Sequence, residues 1–133
     1  MPSRKELENR EKKLALERFR KERGFIREWH ELMVEYDKDF FEIFIDWSSH
    51  MYKKGPLPVK VKELILVAID VVKAYEQGVR LHIKNALEAG ATKEEIVEVL
   101  ELCTLIGAHS CPIGLPILND ELKKHKHTHK TRA

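Results

Sequence analysis

Long apolar runs are missing from this sequence. Nowhere does it reach the roughly 18 consecutive apolar residues that a membrane-spanning helix needs, so no membrane partner is expected. The opening residues are densely charged rather than a basic patch followed by an apolar stretch, and no secretion signal is visible. Cysteine is scarce too. Cys103 and Cys111 are the only two, too few for a small secreted disulfide scaffold, which makes a cytoplasmic location the expectation. Nor does one sign of charge prevail: 24 Lys and Arg face 22 Asp and Glu, a formal net charge of +2, and that gives no general case for a nucleic-acid partner. The local exception is 120–133, where Lys123, Lys124, Lys126, Lys130 and Arg132 outnumber Asp120 and Glu121. The expected reading there is a solvated terminus, with 125–133 a basic disordered tail.

What is present is enough for one domain. The 133 residues, 43% apolar and 35% charged, are globular in composition and allow one core. Residues 3–23 are mostly Lys, Arg and Glu, with opposite charges four apart at Glu6–Arg10, Glu8–Lys12 and Glu17–Lys21, which predicts a charged helical arm over 1–24 with little to bury. From Phe25 the apolar spacing sharpens. Phe25, Trp29, Leu32, Met33 and Tyr36 share one helical face, and Phe40, Phe44, Trp47 and Met51 repeat the pattern until Gly55-Pro56-Leu57-Pro58 ends it. Phe41, Ile43 and Ile45 add apolar groups to further faces of that helix, so one face is available to a neighbouring copy.

Residues 59–74 are the most apolar. A buried strand competes here, but the length favours a helix running through the core, with Glu63, Asp70 and Lys73 along one side. A further helix follows over about 76–89, closed by Gly90 in a left-handed cap. Thr92-Lys93-Glu94-Glu95 reads as a capping box that opens the next helix, through Cys103 and Ile106. Gly107, Pro112, Gly114 and Pro116 are expected to interrupt the chain before a last amphipathic piece ending near Lys124. The fold class is all-α, about six helices, with the main helical domain over 25–124.

Glu63, Tyr75 and His82, followed by Ala86-Leu87-Glu88-Ala89-Gly90-Ala91-Thr92-Lys93-Glu94-Glu95-Ile96, resemble the carboxymuconolactone decarboxylase family over about residues 58–118. The peroxidase branch of that family has Glu, eleven residues, Cys-x-x-Cys, three residues and His before the same turn. This sequence keeps the spacing but places Tyr75 and Gly78 at the two thiol positions. The resemblance implies an alkylhydroperoxidase-like helical fold and assembly as a homo-oligomer, trimer or hexamer. Peroxidase chemistry needs an attacking and a resolving thiol, which tyrosine and glycine do not supply. On one helix, Cys103 and Cys111 would stand roughly 12 Å apart, beyond the roughly 7 Å limit for a disulfide, unless the glycines and prolines between 107 and 116 bend the chain. They remain the weaker, peroxide-reducing alternative.

The resemblance to the thiol-free decarboxylase branch implies acid–base chemistry on a small carboxylated lactone, with no cofactor and no metal. His82 is the candidate proton donor, since histidine titrates near neutrality; a hydrogen-bonded core histidine is the plain alternative. Glu63 either orients His82 or acts as a base, the plain alternative being a first-turn acid favoured by the helix dipole. Tyr75 either turns its hydroxyl into the same site or is a helix-end aromatic. Arg80 or Lys84 are candidate anchors for a substrate carboxylate, although Arg80 lies about 200° around the helix from His82 and would act in another subunit's site or not at all. The branch often carries a carboxylate near position 78, where Gly78 is bare. A non-catalytic ligand- or partner-binding oligomer is the other reading. His109 with Cys111, and the alternating His125, His127 and His129, are too few or too loosely placed to be read as metal ligands.

Overall fold

Every regular element in the computed structural model, which describes residues 1–107 and 109–132, is an α-helix, and no strand occurs among the described residues. The seven helices are α1 (Arg4–Arg23), α2 (Glu28–Tyr36), α3 (Lys38–Lys53), α4 (Val59–Val72), α5 (Glu76–Glu88), α6 (Lys93–Cys103) and α7 (Ser110–Arg132). They fall into two compact units divided between Gly55 and Pro56.

The first unit holds α1 to α3. Ser3 and Glu6 form a reciprocal capping box at the start of α1, and Gly24 closes it with φ 81°, its amide donating to the Arg20 carbonyl. Gly24 therefore ends a helix, as expected, but it does not end a unit. Ala15 and Phe19 of α1 are buried with Val34 of α2 and Phe41 and Ile45 of α3, so the charged arm has an apolar stripe that packs. Of the three charge pairs expected along α1, Glu8–Lys12 forms, at 3.2 Å, and Lys12 also reaches Glu35 of α2. Exposed pairs of this kind contribute little; the packing of Phe19 holds the arm. On α3, Phe41 and Ile45 face inward, whereas Phe40, Ile43 and Trp47 are 52%, 64% and 61% exposed, the two-faced apolar character read from the sequence.

His30 sits fully buried in this core, its ring 3.7 Å from that of Trp29 and 4.4 Å from that of Phe19. Its Nδ1 accepts from the Arg27 amide at 2.9 Å, which leaves Nε2 as the N–H, buried with no hydrogen-bond partner among the described residues. Burial pushes its pKa down from 6.5 to about 4. A folded pKa below the unfolded one means that the unfolded chain takes up the proton first. The stability His30 contributes is thus present above pH 6.5 and is lost as pH falls from 6.5 toward 4. From pH 7 to pH 5 that loss is about 2 kcal/mol. Urea melts of the parent and of His30→Gln, compared at the two pH values, check it: the parent loses more stability than the variant. An equal loss in both sinks the assignment.

The second unit holds α4 to α7 around Val67, Val71, Val79, Ile83, Ala86, Ile96 and Leu100. The capping box at Thr92 and Glu95 is formed as read from the sequence. α4 is less enclosed than its composition implies. Val67 and Val71 are buried, but Ile65 and Ile69 on the opposite face are 43% and 45% exposed. They border an open apolar groove with Leu102 and Ile106 of about 530 Å3.

α7 corrects two expectations. Pro112, Gly114 and Pro116 lie within it rather than before it, and it continues through the segment 125–132 that was read as a disordered tail. Pro112 occupies the first turn, where the missing amide costs nothing. Pro116 removes one ladder bond, while Ile117, Leu118 and Glu121 beyond it are buried and hold the helix against the unit. Helical spacing also brings the rings of His125 and His129 to 4.3 Å. No group of three or more metal-ligating side chains occurs among the described residues, and no described helix is long and apolar enough to cross a membrane.

α4 and α5 end in the same device with different residues. At the end of α5, Gly90 takes φ 91° while Gly90 and Ala91 amides bond the Leu87 and Ala86 carbonyls. At the end of α4, Ala74 takes φ 56° while Ala74 and Tyr75 amides bond the Val71 and Asp70 carbonyls. This is the Schellman closure, for which glycine is the usual left-handed residue. A left-handed alanine carries a Cβ clash of about 1–2 kcal/mol. Ala74→Gly is expected to raise stability by about 0.5–1 kcal/mol, the gain being reduced by glycine's freer unfolded chain. Thermal melting checks the sign.

Candidate functional site

The Schellman turn brings α5 back against α4, the most extensively packed helix pair in the second unit. Glu63 and Asp70, seven residues apart, share one face of α4; Gly78, His82 and Asn85, at i, i+4 and i+7, share one face of α5. These two faces meet. His82 Nδ1 and Glu63 Oε2 are 2.6 Å apart, and Asn85 Nδ2 donates to Glu63 Oε1 at 3.4 Å.

Glu63 lies in the second turn of α4 and is fully buried. That removes the helix-dipole reading, which requires a first-turn acid, and leaves the pairing with His82 as the account of its burial. A carboxylate withdrawn from water must be compensated, and it is here bonded by imidazole and amide. Because a carboxylate only accepts, Nδ1 carries the proton and Nε2 is the open nitrogen of the neutral ring. The His82 side chain is 12% exposed and that of Glu63 0%, so the pair lies largely out of water.

Asp70 is the site member that sequence reasoning did not single out. Its Oδ2 lies 3.7 Å from His82 Nε2, and its side chain is 17% exposed. Burial raises its pKa above the ordinary aspartate range, while the charges of His82 and Lys73 act in the other direction. The signal was in the sequence as the polar stripe of Glu63, Asp70 and Lys73, but nothing there says which helix the stripe meets.

Tyr75 is brought to the site only in part. It caps α5 at the N-terminal end and is 47% exposed. Its ring edge lies over the Gly78 Cα, so a Cβ there would come within 2.6 Å of Tyr75 Cδ1. Among the described residues no hydrogen bond joins its hydroxyl to Glu63 or His82, and its observed contact is steric. Arg80 points elsewhere. Its guanidinium is 3.5 Å from Asp120 and from Glu121 of α7, an ion-pair cluster that Lys124 completes. Lys84 is exposed.

The two cysteines are on different helices, Cys103 at the end of α6 and Cys111 in the first turn of α7, so the spacing along one helix does not apply. Both are free. Cys103 Sγ lies 3.8 Å from the Ala68 carbonyl oxygen, and Cys111 Sγ lies 3.9 Å from that of Leu100. Burial, and secondly Cys111, pushes the Cys103 thiol up, away from the thiolate that peroxide reduction requires. His109 Nε2 is 2.9 Å from the Val72 carbonyl oxygen, a contact in which Nε2 carries the proton and donates, because a carbonyl only accepts.

Comparison with known proteins places this geometry in context. The model of the carboxymuconolactone decarboxylase family matches residues 38–108, which include Glu63, Asp70, Tyr75, Gly78 and His82. An uncharacterized protein of Cupriavidus necator is 46% identical over 48 residues, 36% of this chain and 42% of that relative. This match therefore spans less than half the length of the curated relative. A crystal structure of a candidate carboxymuconolactone decarboxylase from Burkholderia xenovorans LB400 superposes with a TM-score of 0.78 at 22% identity, covering 95% of this chain and 99% of that one; at that identity it shows the fold. A candidate gamma-carboxymuconolactone decarboxylase subunit from the same strain has a TM-score of 0.64 at 35% identity, over 86% of this chain and 47% of that one.

Proposed function

Because this chain belongs to the carboxymuconolactone decarboxylase family, we propose that Glu63 and His82 form a thiol-independent acid–base site of a lyase acting on a small carboxylated lactone. The observation that carries the reading is the 2.6 Å contact between His82 Nδ1 and the fully buried Glu63. It fixes the ring and leaves Nε2 open. Loss of CO2 leaves an electron pair on carbon, which a conjugated carbonyl takes up until a proton arrives. An imidazolium whose Nδ1–H is held by a carboxylate is a suitable donor from Nε2. Glu63 then has the positioning role and His82 the proton-transferring one. Tyr75 shapes the wall of the site. Arg80 has no part in holding the substrate, since it is engaged by Asp120 and Glu121.

A panel of carboxylated lactones, assayed for CO2 release and for deuterium uptake from heavy water, tests the proposal. The expected result is turnover that depends on His82. Turnover indifferent to His82→Ala, or neither turnover nor binding across the panel, sinks it. A non-catalytic binding protein is the second reading, favoured by the Asp70 carboxylate and Tyr75 ring that occupy the space over Gly78. We further propose a homo-oligomer, supported by the exposed Phe40, Ile43 and Trp47 face of α3. A stable monomer by light scattering at micromolar concentration argues against it.

A further inference from the structure

Gly78 is buried on α5 one turn before His82, and the volume its side chain would fill is taken. A Cβ built there would overlap Asp70 Oδ2 and stand 2.6 Å from both Asp70 Cγ and Tyr75 Cδ1. The Asp70 carboxylate thus rests on the bare Cα of position 78, delivered from α4 across the helix interface. From there Oδ2 is 3.7 Å from His82 Nε2, too long for a hydrogen bond and close enough for strong charge coupling. The imidazole has a carboxylate at each nitrogen, one bonded and fully buried, the other unbonded and partly open.

We propose that Asp70 is the second acid–base group of this site, coupled to His82 at Nε2, and that the absence of a side chain at Gly78 is what admits it. The inference rests on the acid–base reading of Glu63 and His82. Any group that bonds Nε2 lies against the Asp70 carboxylate. The substrate atom presented there is therefore the carbon or hydroxyl that exchanges a proton, and the substrate's own carboxylate is turned away from it by like charge. Only a proton changes place. Nε2–H gives it to the reacting carbon, the ring becomes neutral, and the Asp70 carboxyl or water returns one. The charged groups around Asp70 are His82 on α5 and Lys73 at the end of α4, with Glu63 behind the imidazole.

Carboxyl-carbon NMR of the full chain, without any substrate, tests the pair. His82→Gln removes the charge that holds the Asp70 titration down, so its midpoint is expected to rise by about one pH unit. Gly78→Ala pushes the carboxylate toward water, and the midpoint falls toward the ordinary aspartate range. Should Gly78→Ala not fold, Asp70→Asn keeps the shape, and the His82 Nε2 resonance is expected to move. An Asp70 midpoint unchanged in folded His82→Gln, or an unmoved Nε2 resonance in Asp70→Asn, overturns the proposal. Because these readouts need no turnover, coupling in an inactive protein supports the pair while sinking the lyase reading, and turnover without coupling overturns the pair alone.

Discussion

His82→Ala is expected to lower kcat/KM for a substrate of this site by about 10^2–10^4-fold, the range general acid–base groups supply. The loss falls mainly on kcat, because the proton is transferred in the transition state and not in the bound ground state. The same substitution takes the imidazole away from the buried Glu63 carboxylate, a loss of about 1–3 kcal/mol. Circular dichroism at the assay temperature therefore has to precede the kinetics. Glu63→Gln separates the two effects. Its amide oxygen still accepts from Nδ1–H, but it carries no charge to balance an imidazolium, and its loss of rate lies between parent and His82→Ala. If Glu63→Gln is as active as the parent while His82→Ala is inactive, the imidazole acts alone and the buried carboxylate is only structural. If both match the parent, the site is not where the chemistry happens.

Much of this site was legible before the structure, for a physical reason. A helix pair joined by a short turn puts residues 63 and 82 at a fixed register, so a Glu and a His at that spacing meet whenever the turn forms. The turn after α5 was legible as well, since Gly90, Thr92 and Glu95 are local signals that act through the backbone, whereas the α4–α5 turn has Ala74 in the left-handed place and no glycine to announce it. Asp70 was not, because its role depends on something missing from another helix: only with α5 laid on α4 does the bare Gly78 become a seat for a carboxylate. Tyr75 is similar: its ring packs on Gly78, a contact that shows only with α5 formed. The charged arm hid its stripe behind high charge: Ala15 and Phe19 are two residues among twenty in α1, and only the partners Val34, Phe41 and Ile45 show their worth. In α7, local helix-breaking signals lost to tertiary burial.

Gly114, one of those breakers, admits a close approach of Leu100 to α7, and it leads to the largest expected loss of stability. Gly114 is buried in α7 with Leu100 of α6 folded over it. A Cβ at Gly114 would overlap Leu100 Cδ2 and come within 2.7 Å of Cδ1 and 3.0 Å of Cγ. Leu100 is fully buried at the centre of the second unit. Leu100→Ala removes a side chain that α7 is built around and is expected to cost about 2–5 kcal/mol, the spread reflecting how far the site collapses. Gly114→Ala in the parent over-packs the same spot, for about 1–3 kcal/mol, although alanine in a helix interior would otherwise gain about 1 kcal/mol over glycine. With Leu100 already shortened the clash is gone and that helix gain is left, together with partial filling of the cavity. Gly114→Ala is thus expected to reverse sign, destabilising the parent and stabilising Leu100→Ala, with a coupling of at least about 1 kcal/mol. Urea melts of the four proteins measure it. Far-UV circular dichroism is the probe to use, since Trp29 and Trp47, the two tryptophans, both lie in the first unit. Additive losses in the double variant would mean that Leu100 moves aside freely and that the close approach of α7 to α6 has another cause.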